Sequence, residues 1–150
     1  MAASLAFRTA ITADEAALFA CYRAALHAAV AAIWGWDEDW QRQDFRDHFA
    51  PTGIVVAEYP AEPVGYCQVE WQPARLYVRM LVVRPSHQRR NIGSRLLDQV
   101  LQQADTAEML VALQVFKINP QAQRLYERRG FRVSGETGTS VEMSRPPAGA

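Results

Sequence analysis

The sequence contains very little lysine and has no excess of either charge. Lys117 is the only lysine among 150 residues, and 16 basic side chains are balanced by 16 acidic ones. A general nucleic-acid-binding protein normally carries a basic excess that neutralises phosphates. We therefore expect no nucleic-acid partner. The arginines that such a function would use are Arg89, Arg90, Arg95, Arg128 and Arg129.

Cysteine is also scarce, since Cys21 and Cys67 are the only two in the sequence. One disulfide between them is the first alternative. The second, which we favour, is a pair of reduced and partly buried thiols, because free cysteine behaves as a small hydrophobic residue. Reduced thiols indicate a reducing compartment.

Long uninterrupted hydrophobic runs are missing. Residues 1–4 show no charged region leading into an apolar stretch, so we expect no signal peptide. Four polar side chains interrupt the alanine-rich run over residues 13–34, namely Asp14, Glu15, Arg23 and His27. We expect this run to be too polar to cross a membrane. These features predict a cytoplasmic protein without a membrane partner.

Nearly half of the residues are hydrophobic, which is enough for a full core without disulfides or metals. The length fits one domain over residues 1–150, with 146–150 as a frayed tail. We find no internal repeat and no linker.

Hydrophobic periodicity predicts the element order β, α, α, β, β, β, α, β, α, β, β. Thr12 and Glu15 have the spacing of a capping box for the first helix, and Asp37 is a candidate cap for the second. The predicted strands cover residues 5–10, 54–59, 64–71, 76–83, 109–115, 131–134 and 140–144. The predicted helices cover residues 13–33, 37–48, 92–104 and 119–130. This order predicts a mixed α+β fold with helices on both faces of the sheet.

The most informative segment follows the strand that ends at Val83. A polar turn, Gln88-Arg89-Arg90-Asn91-Ile92-Gly93, leads directly into an amphipathic helix. The first amides of a helix lack internal partners and can bind an anion such as pyrophosphate. Two arginines and Ser94 would assist. Taken alone, the same pattern also suits a solvated turn that caps an ordinary helix.

The context of this turn resembles the GNAT superfamily of N-acetyltransferases. Val83-Arg84-Pro85, the turn and Ser94-Arg95-Leu96-Leu97 follow the first signature of that family, with Asn91 in place of its first glycine. Asparagine tolerates positive φ better than other non-glycine residues, so we expect the turn to survive. Asn119-Pro120 and Leu125-Tyr126-Glu127-Arg128-Arg129-Gly130-Phe131 follow the second signature. The element order matches over nearly the whole chain.

The resemblance implies a central, mostly antiparallel sheet of about seven strands and an acetyl-CoA cofactor. It also implies a bulge that splays the central strand from its neighbour and opens a slot for the thioester. Three groups of residues are implied to hold acetyl-CoA. The strand end Leu81, Val82 and Val83 would bind the pantetheine arm, as an added strand does. The pyrophosphate would lie on Gln88, Arg89, Arg90, Asn91, Ile92, Gly93 and Ser94. Asn119 would reach the cofactor arm, or would only cap its helix.

The implied reaction is direct attack of a primary amine on the thioester in a ternary complex. Tyr126 matches the general acid of the family, which would also place it in contact with the cofactor; its alternative role is that of a core tyrosine. No acid lies on the strand over residues 76–83, so the base stays open among Glu70, a water chain and His87. By strand alternation, Glu70 shares a face with Tyr66 and Gln68, and the three side chains would line one pocket. A solvated strand end is the alternative for Glu70.

The segment between the first two helices, 34–40, contains three tryptophans and three acids. The resemblance implies a wall of the acceptor site here, with Trp34, Trp36 and Glu38 binding a cationic or aromatic amine. Helix capping and core packing are the alternatives. The acceptor would be an amine of a small molecule or a protein, and a homodimer would pair through the C-terminal strands. A non-catalytic acyl-CoA sensor is the competing function, and no metal site is expected.

Overall fold

The structure is a computed structural model that describes residues 4–149. These residues divide into two compact units. The first unit comprises residues 4–68 and 80–97. The second comprises residues 69–79 and 98–149.

The observed element order is the predicted one. The strands are β1 (Ala6–Thr9), β2 (Ile54–Tyr59), β3 (Glu62–Trp71), β4 (Arg75–Val83), β5 (Leu110–Phe116), β6 (Arg132–Glu136) and β7 (Ser140–Arg145). The helices are α1 (Glu15–Ile33), α2 (Glu38–His48), α3 (Ile92–Thr106) and α4 (Pro120–Arg128). The strand order in the sheet is β1-β2-β3-β4-β5-β7-β6, with β4 and β5 parallel. The predicted seven-stranded, mostly antiparallel sheet is confirmed.

The start of α1 differs from the prediction. Thr12 does not cap the helix, because residues Thr12–Asp14 form a short 3-10 turn before it. The Asp14 carboxylate instead accepts the amide of Ile11 at 2.8 Å and both guanidinium Nη atoms of Arg8 at 2.8 Å. The hydrogen bond from Arg8 holds the pKa of Asp14 below its usual range. A partly buried ion pair therefore fixes this turn.

Helix α1 also corrects an expectation about membranes. By length and composition, residues Thr12–Ile33 are long and apolar enough to cross a bilayer, so the prediction that this run is too polar was wrong. Core helices of soluble proteins pass the same test. In this chain four α1 side chains lie in the core cluster of the first unit, namely Leu18, Phe19, Cys21 and Tyr22.

Aromatic side chains fill much of that core cluster. The Tyr66 ring of β3 is fully buried and meets the ring of Phe45 of α2 edge-on, with centroids 6.3 Å apart. Phe19 of α1 meets Phe45 in the same manner at 5.4 Å. Cap geometry orients α2, since Asp37 Oδ1 accepts the Trp40 amide at 3.0 Å, as predicted.

Both cysteines are buried and free, which confirms the prediction of reduced thiols. Burial raises the pKa of the Cys67 thiol to about 12 and also raises that of Cys21. The guanidinium of Arg84 lies 3.3 Å from Cys21 Sγ. Neither thiol is therefore activated as a nucleophile.

The second unit ends in the hairpin of β6 and β7. Strand β6 continues to Glu136, beyond the predicted strand over residues 131–134, so the turn lies at residues 137–139. Thr137 closes it by donating its amide to the Ser140 carbonyl at 2.8 Å. The pairing register shifts between Val133 and Gly135, which makes a bulge at Ser134. Next to the turn, the only lysine, Lys117, lies 3.0 Å from the Glu136 carboxylate.

Candidate functional site

The end of β4 packs closely against β3 in the first unit. Gly65 lies under the Val82 carbonyl, and a Cβ at this position would be only 2.5 Å from that oxygen. The Arg84 amide donates to the Val64 carbonyl at 2.8 Å. Val82 is buried in the core cluster, while Leu81 and Val83 are half-buried. The pairing described between β4 and β5 begins with Arg75 opposite Leu110 and ends with Val78 opposite Leu113. Strand β4 itself continues beyond this pairing to Val83.

The turn after β4 is held by hydrogen bonds between residues close in sequence. A short 3-10 turn, Pro85–His87, follows Arg84, and the Gln88 amide side chain donates to the Val83 carbonyl at 3.0 Å. Asn91 has φ +61°, which confirms the predicted left-handed conformation. Arg89 has φ +66°, which sequence reasoning missed. Two left-handed residues in three positions make the chain fold back tightly before α3.

Helix α3 begins directly at this turn. Its first intrahelical hydrogen bond runs from the Arg95 amide to the Asn91 carbonyl at 3.0 Å. The three preceding amides, of Ile92, Gly93 and Ser94, are therefore those that helix geometry leaves for an outside acceptor. The Ile92 side chain is buried, whereas residues 88–91 are exposed. The buried Ile92 side chain thus fixes the start of the helix, where the first amides lie beside exposed arginines. This arrangement suits the binding of an anion.

The left-handed conformation of Asn91 gives a first testable prediction. We expect Asn91→Ala to unfold more easily than Asn91→Gly by about 1 kcal/mol, because a Cβ disfavours positive φ. Thermal and urea unfolding of the two variants would measure the difference. Equal stabilities of the two variants would contradict the left-handed conformation at position 91. At a right-handed position, alanine would be the more stable of the two.

The second predicted signature lies in the second unit. The Asn119 side chain accepts the Ala122 amide at 3.2 Å and so caps α4. Tyr126 is buried, and its ring meets Phe131 edge-on with centroids 5.6 Å apart. Gly130 has φ +91°, in agreement with its predicted place at the end of the helix. Capping is thus observed for Asn119, and its reach to a cofactor stays a prediction.

The predicted acceptor wall is partly occupied by internal contacts. Trp34 is 65% exposed, while Trp36 packs against Tyr22 and His27. The Glu38 carboxylate accepts the Trp36 indole N–H at 2.9 Å and also binds two arginines. These are Arg42 at 2.9 Å and Arg23 at 3.1 Å. The Trp36 hydrogen bond, together with these cations, lowers the pKa of Glu38. Its negative charge is therefore already matched within the fold.

The three side chains expected on one face of β3 have different surroundings. Tyr66 is fully buried, and Gln68 donates to the His48 carbonyl at 2.7 Å. Glu70 is half-buried in the second unit. The remaining candidate base, His87, packs against Tyr59 with ring centroids 5.7 Å apart. Packing and a backbone hydrogen bond thus account for Tyr66 and Gln68.

A polar cavity in the second unit was not predicted. It has a volume of about 110 Å³, and its polar lining comes from four strands: Arg75, Tyr77, Gln114, Ser134 and Glu142. Gln114 donates to Glu142 Oε1 at 3.2 Å. Burial raises the pKa of Tyr77. The alternation of side chains along β7 was the available sequence signal for this cavity. It became informative only once the strand register was known.

Within residues 4–149, no group of three or more His, Cys, Asp or Glu side chains suits a metal ion.

Comparison with known proteins gives consistent matches. The profile of the acetyltransferase (GNAT) family matches residues 16–131. The Mycobacterium tuberculosis protein named Probable N-acetyltransferase Rv2775 is 31% identical over 92 residues, which are 59% of this chain and 52% of that protein. The chain thus matches about half the length of that relative.

Solved structures share the fold at low sequence identity. PaiA N-acetyltransferase from Thermoplasma acidophilum, solved with coenzyme A, has a TM-score of 0.79 at 17% identity; the match covers 95% of this chain and 99% of that one. The ribosomal-protein-S18-alanine N-acetyltransferase from Escherichia coli also has a TM-score of 0.79, at 16% identity, over 98% and 96% of the two chains.

Proposed function

Because the chain belongs to the acetyltransferase (GNAT) family, we propose that it transfers an acetyl group from acetyl-CoA to a primary amine of a small molecule or protein. The observation that carries this proposal is the turn before α3. Arg89 and Asn91 both have left-handed backbone conformations there. The first amides of the helix have no acceptor within the helix itself. We also retain the single acetyltransferase domain, a cytoplasmic location and a homodimer through the C-terminal strands as parts of this proposal.

The residues of the turn fit a pyrophosphate. The amides of Ile92, Gly93 and Ser94 supply donors at the positive end of the helix dipole. The side chains of Arg89 and Arg90 are exposed beside them and supply cations. Asn91 holds the backbone in a left-handed conformation directly before these amides. Leu81, Val82 and Val83 would pair with the pantetheine arm, and Asn119 would contact it.

Bound acetyl-CoA would supply the acetyl group as an activated thioester. Tyr126 would donate a proton to the departing sulfur, because a phenol is acidic enough to do so near neutral pH. The packing of its ring against Phe131 would fix the hydroxyl. Exposed Trp34 would provide an aromatic face for the acceptor, and Trp36 would support it. Glu70 and a water chain stay candidates for the base from sequence.

Thermal unfolding with acetyl-CoA tests the proposed function. We expect an excess of 100 Kd to stabilise the protein by about 2.7 kcal/mol, because only the folded chain binds. For a chain of this length the Tm should rise by roughly 5–10 °C. Arg90→Ala should reduce this shift, whereas Arg132→Ala, an exposed arginine on β6, should leave it unchanged.

Two results would count against parts of this proposal. A folded protein whose Tm is unaffected by excess acetyl-CoA would reject the cofactor assignment. Stabilisation without thiol release across a broad panel of primary amines would instead favour the sensor function.

A further inference from the structure

We propose that the cavity of the second unit binds the acceptor's primary ammonium group and that the Glu142 carboxylate takes its proton. This inference rests on the proposed transfer of acetyl groups to amines. It supplies the proton acceptor that the sequence left open. The cavity would select a small cationic head group and would disfavour secondary and quaternary amines.

Strand register builds the cavity from residues far apart in sequence. Tyr77 of β4 is paired with Ala112 of β5, and Gln114 of β5 with Glu142 of β7. Side chains of paired residues lie on the same face of a sheet. Ala112 and Gln114 are two residues apart on β5, so Tyr77, Gln114 and Glu142 lie on the same face of the sheet.

The bulge in β6 contributes the fourth side of the cavity. Val133 pairs with Met143 and Gly135 with Glu142, so Ser134 is the extra residue between two ladder positions. Bulges re-aim side chains and are over-represented beside active sites. Ser134 lines the cavity together with Glu142. Gly135 leaves room for the carboxylate, because a Cβ there would be 2.9 Å from Glu142 Oε2.

The chemistry of the lining suits a primary ammonium. A neutral amide, that of Gln114, donates to Glu142 Oε1, so this hydrogen bond orients the carboxylate without cancelling its charge. The guanidinium of Arg75 lies over the Tyr77 ring, 5.0 Å from its centroid, and donates from Nε to Gln72 at 2.7 Å. Tyr77 and Ser134 add hydroxyl acceptors. A carboxylate and neutral oxygens together match the three donors of an ammonium group.

The proposed proton transfer is balanced within the cavity. An N–H bond of the ammonium breaks, the proton joins a carboxylate oxygen of Glu142, and the nitrogen keeps the electron pair. Glu142 is exposed, so the protonated carboxyl returns its proton to water. The volume of about 110 Å³ holds several water molecules or one alkylammonium head group.

The direct test is binding rather than turnover. We would titrate the protein with n-butylammonium chloride and follow the side-chain amide of Gln114 and the backbone amide of Gly135 by NMR. Tetramethylammonium chloride, which carries the same charge and no N–H donor, is the control salt. We expect saturable shifts with n-butylammonium alone. Shifts of equal size with both salts, or none, would overturn the proposal.

Three variants separate the role of Glu142 from general effects. Glu142→Gln should abolish the saturable shift and lower kcat/KM for amines that turn over by about 10- to 100-fold. Gly135→Ala keeps the charge but displaces the carboxylate, so it should weaken n-butylammonium binding. Glu136→Gln, a glutamate of the same hairpin that does not line the cavity, should change neither quantity.

Stabilisation by acetyl-CoA distinguishes failure of this proposal from failure of the proposed function. Normal acetyl-CoA stabilisation with amine turnover unaffected by Glu142→Gln would reject the role of Glu142 alone. The absence of any stabilisation of the unmodified protein by acetyl-CoA would reject the proposed function. The titration would then still decide whether the cavity binds primary ammonium ions.

Discussion

Replacing Tyr126 with phenylalanine is expected to lower turnover of a good acceptor amine by about 100- to 1000-fold. The change removes the proposed proton donor and keeps the ring that packs against Phe131 at 5.6 Å. Loss of the hydroxyl should therefore affect the proton transfer more than the fold. Free-thiol release at saturating acetyl-CoA would measure turnover, and thermal shift would measure cofactor binding.

A matched substitution controls for the loss of a phenol elsewhere. Tyr59→Phe removes a hydroxyl from β2 and keeps the ring beside His87. We expect its turnover to stay within about twofold of the unmodified protein, as for most substitutions away from a site. Unchanged turnover in Tyr126→Phe would reject the general-acid assignment. A parallel loss of acetyl-CoA stabilisation would assign the residue to binding instead.

Gly65→Ala is expected to destabilise the protein by about 1–3 kcal/mol, in the range found for overpacked cores. Its Cβ would meet the Val82 carbonyl at 2.5 Å, and the atom that must yield is backbone. Displacement of Val82 should also weaken acetyl-CoA binding, since the end of β4 is proposed to pair with the pantetheine arm. Urea unfolding and acetyl-CoA thermal shift measure the two effects separately.

Gly138→Ala is the control for this substitution. A Cβ at Gly138 has no atom within 4 Å, so we expect its stability to change by less than about 0.5 kcal/mol. If Gly65→Ala were equally harmless, the close approach of β3 to the end of β4 would be wrong.

Local signals explain what the sequence predicted well. The periodicity of α3 and the Asp37 cap depend on residues within a few positions of each other, and both were predicted correctly. The left-handed Asn91 followed from the family resemblance, which implies a glycine at this position, and from the tolerance of asparagine for positive φ. The Thr12 cap failed because Arg8 and Asp14 form an ion pair that favours a 3-10 turn, and no local spacing reveals that pair.

The candidate site was harder to predict, because it depends on strand register. Glu142 becomes a candidate only when β7 pairs with β5 and places it opposite Gln114. Conversely, Glu38 suits an amine in sequence, but Arg23 and Arg42 bind it in the fold. Residue type, spacing and the family resemblance therefore predicted the turn that we propose to bind phosphate. The competition among charges around Glu38 became visible only in the structure.

The single lysine of the sequence, Lys117, has a practical consequence for assays of acetyl transfer. Lys117 is the only side-chain amine in the 150 residues, and its ammonium lies 3.0 Å from the Glu136 carboxylate. Acetylation of the protein's own lysine side chains is thereby confined to one position. Intact-mass measurements can then attribute further acetylation to an added peptide or protein acceptor with little background.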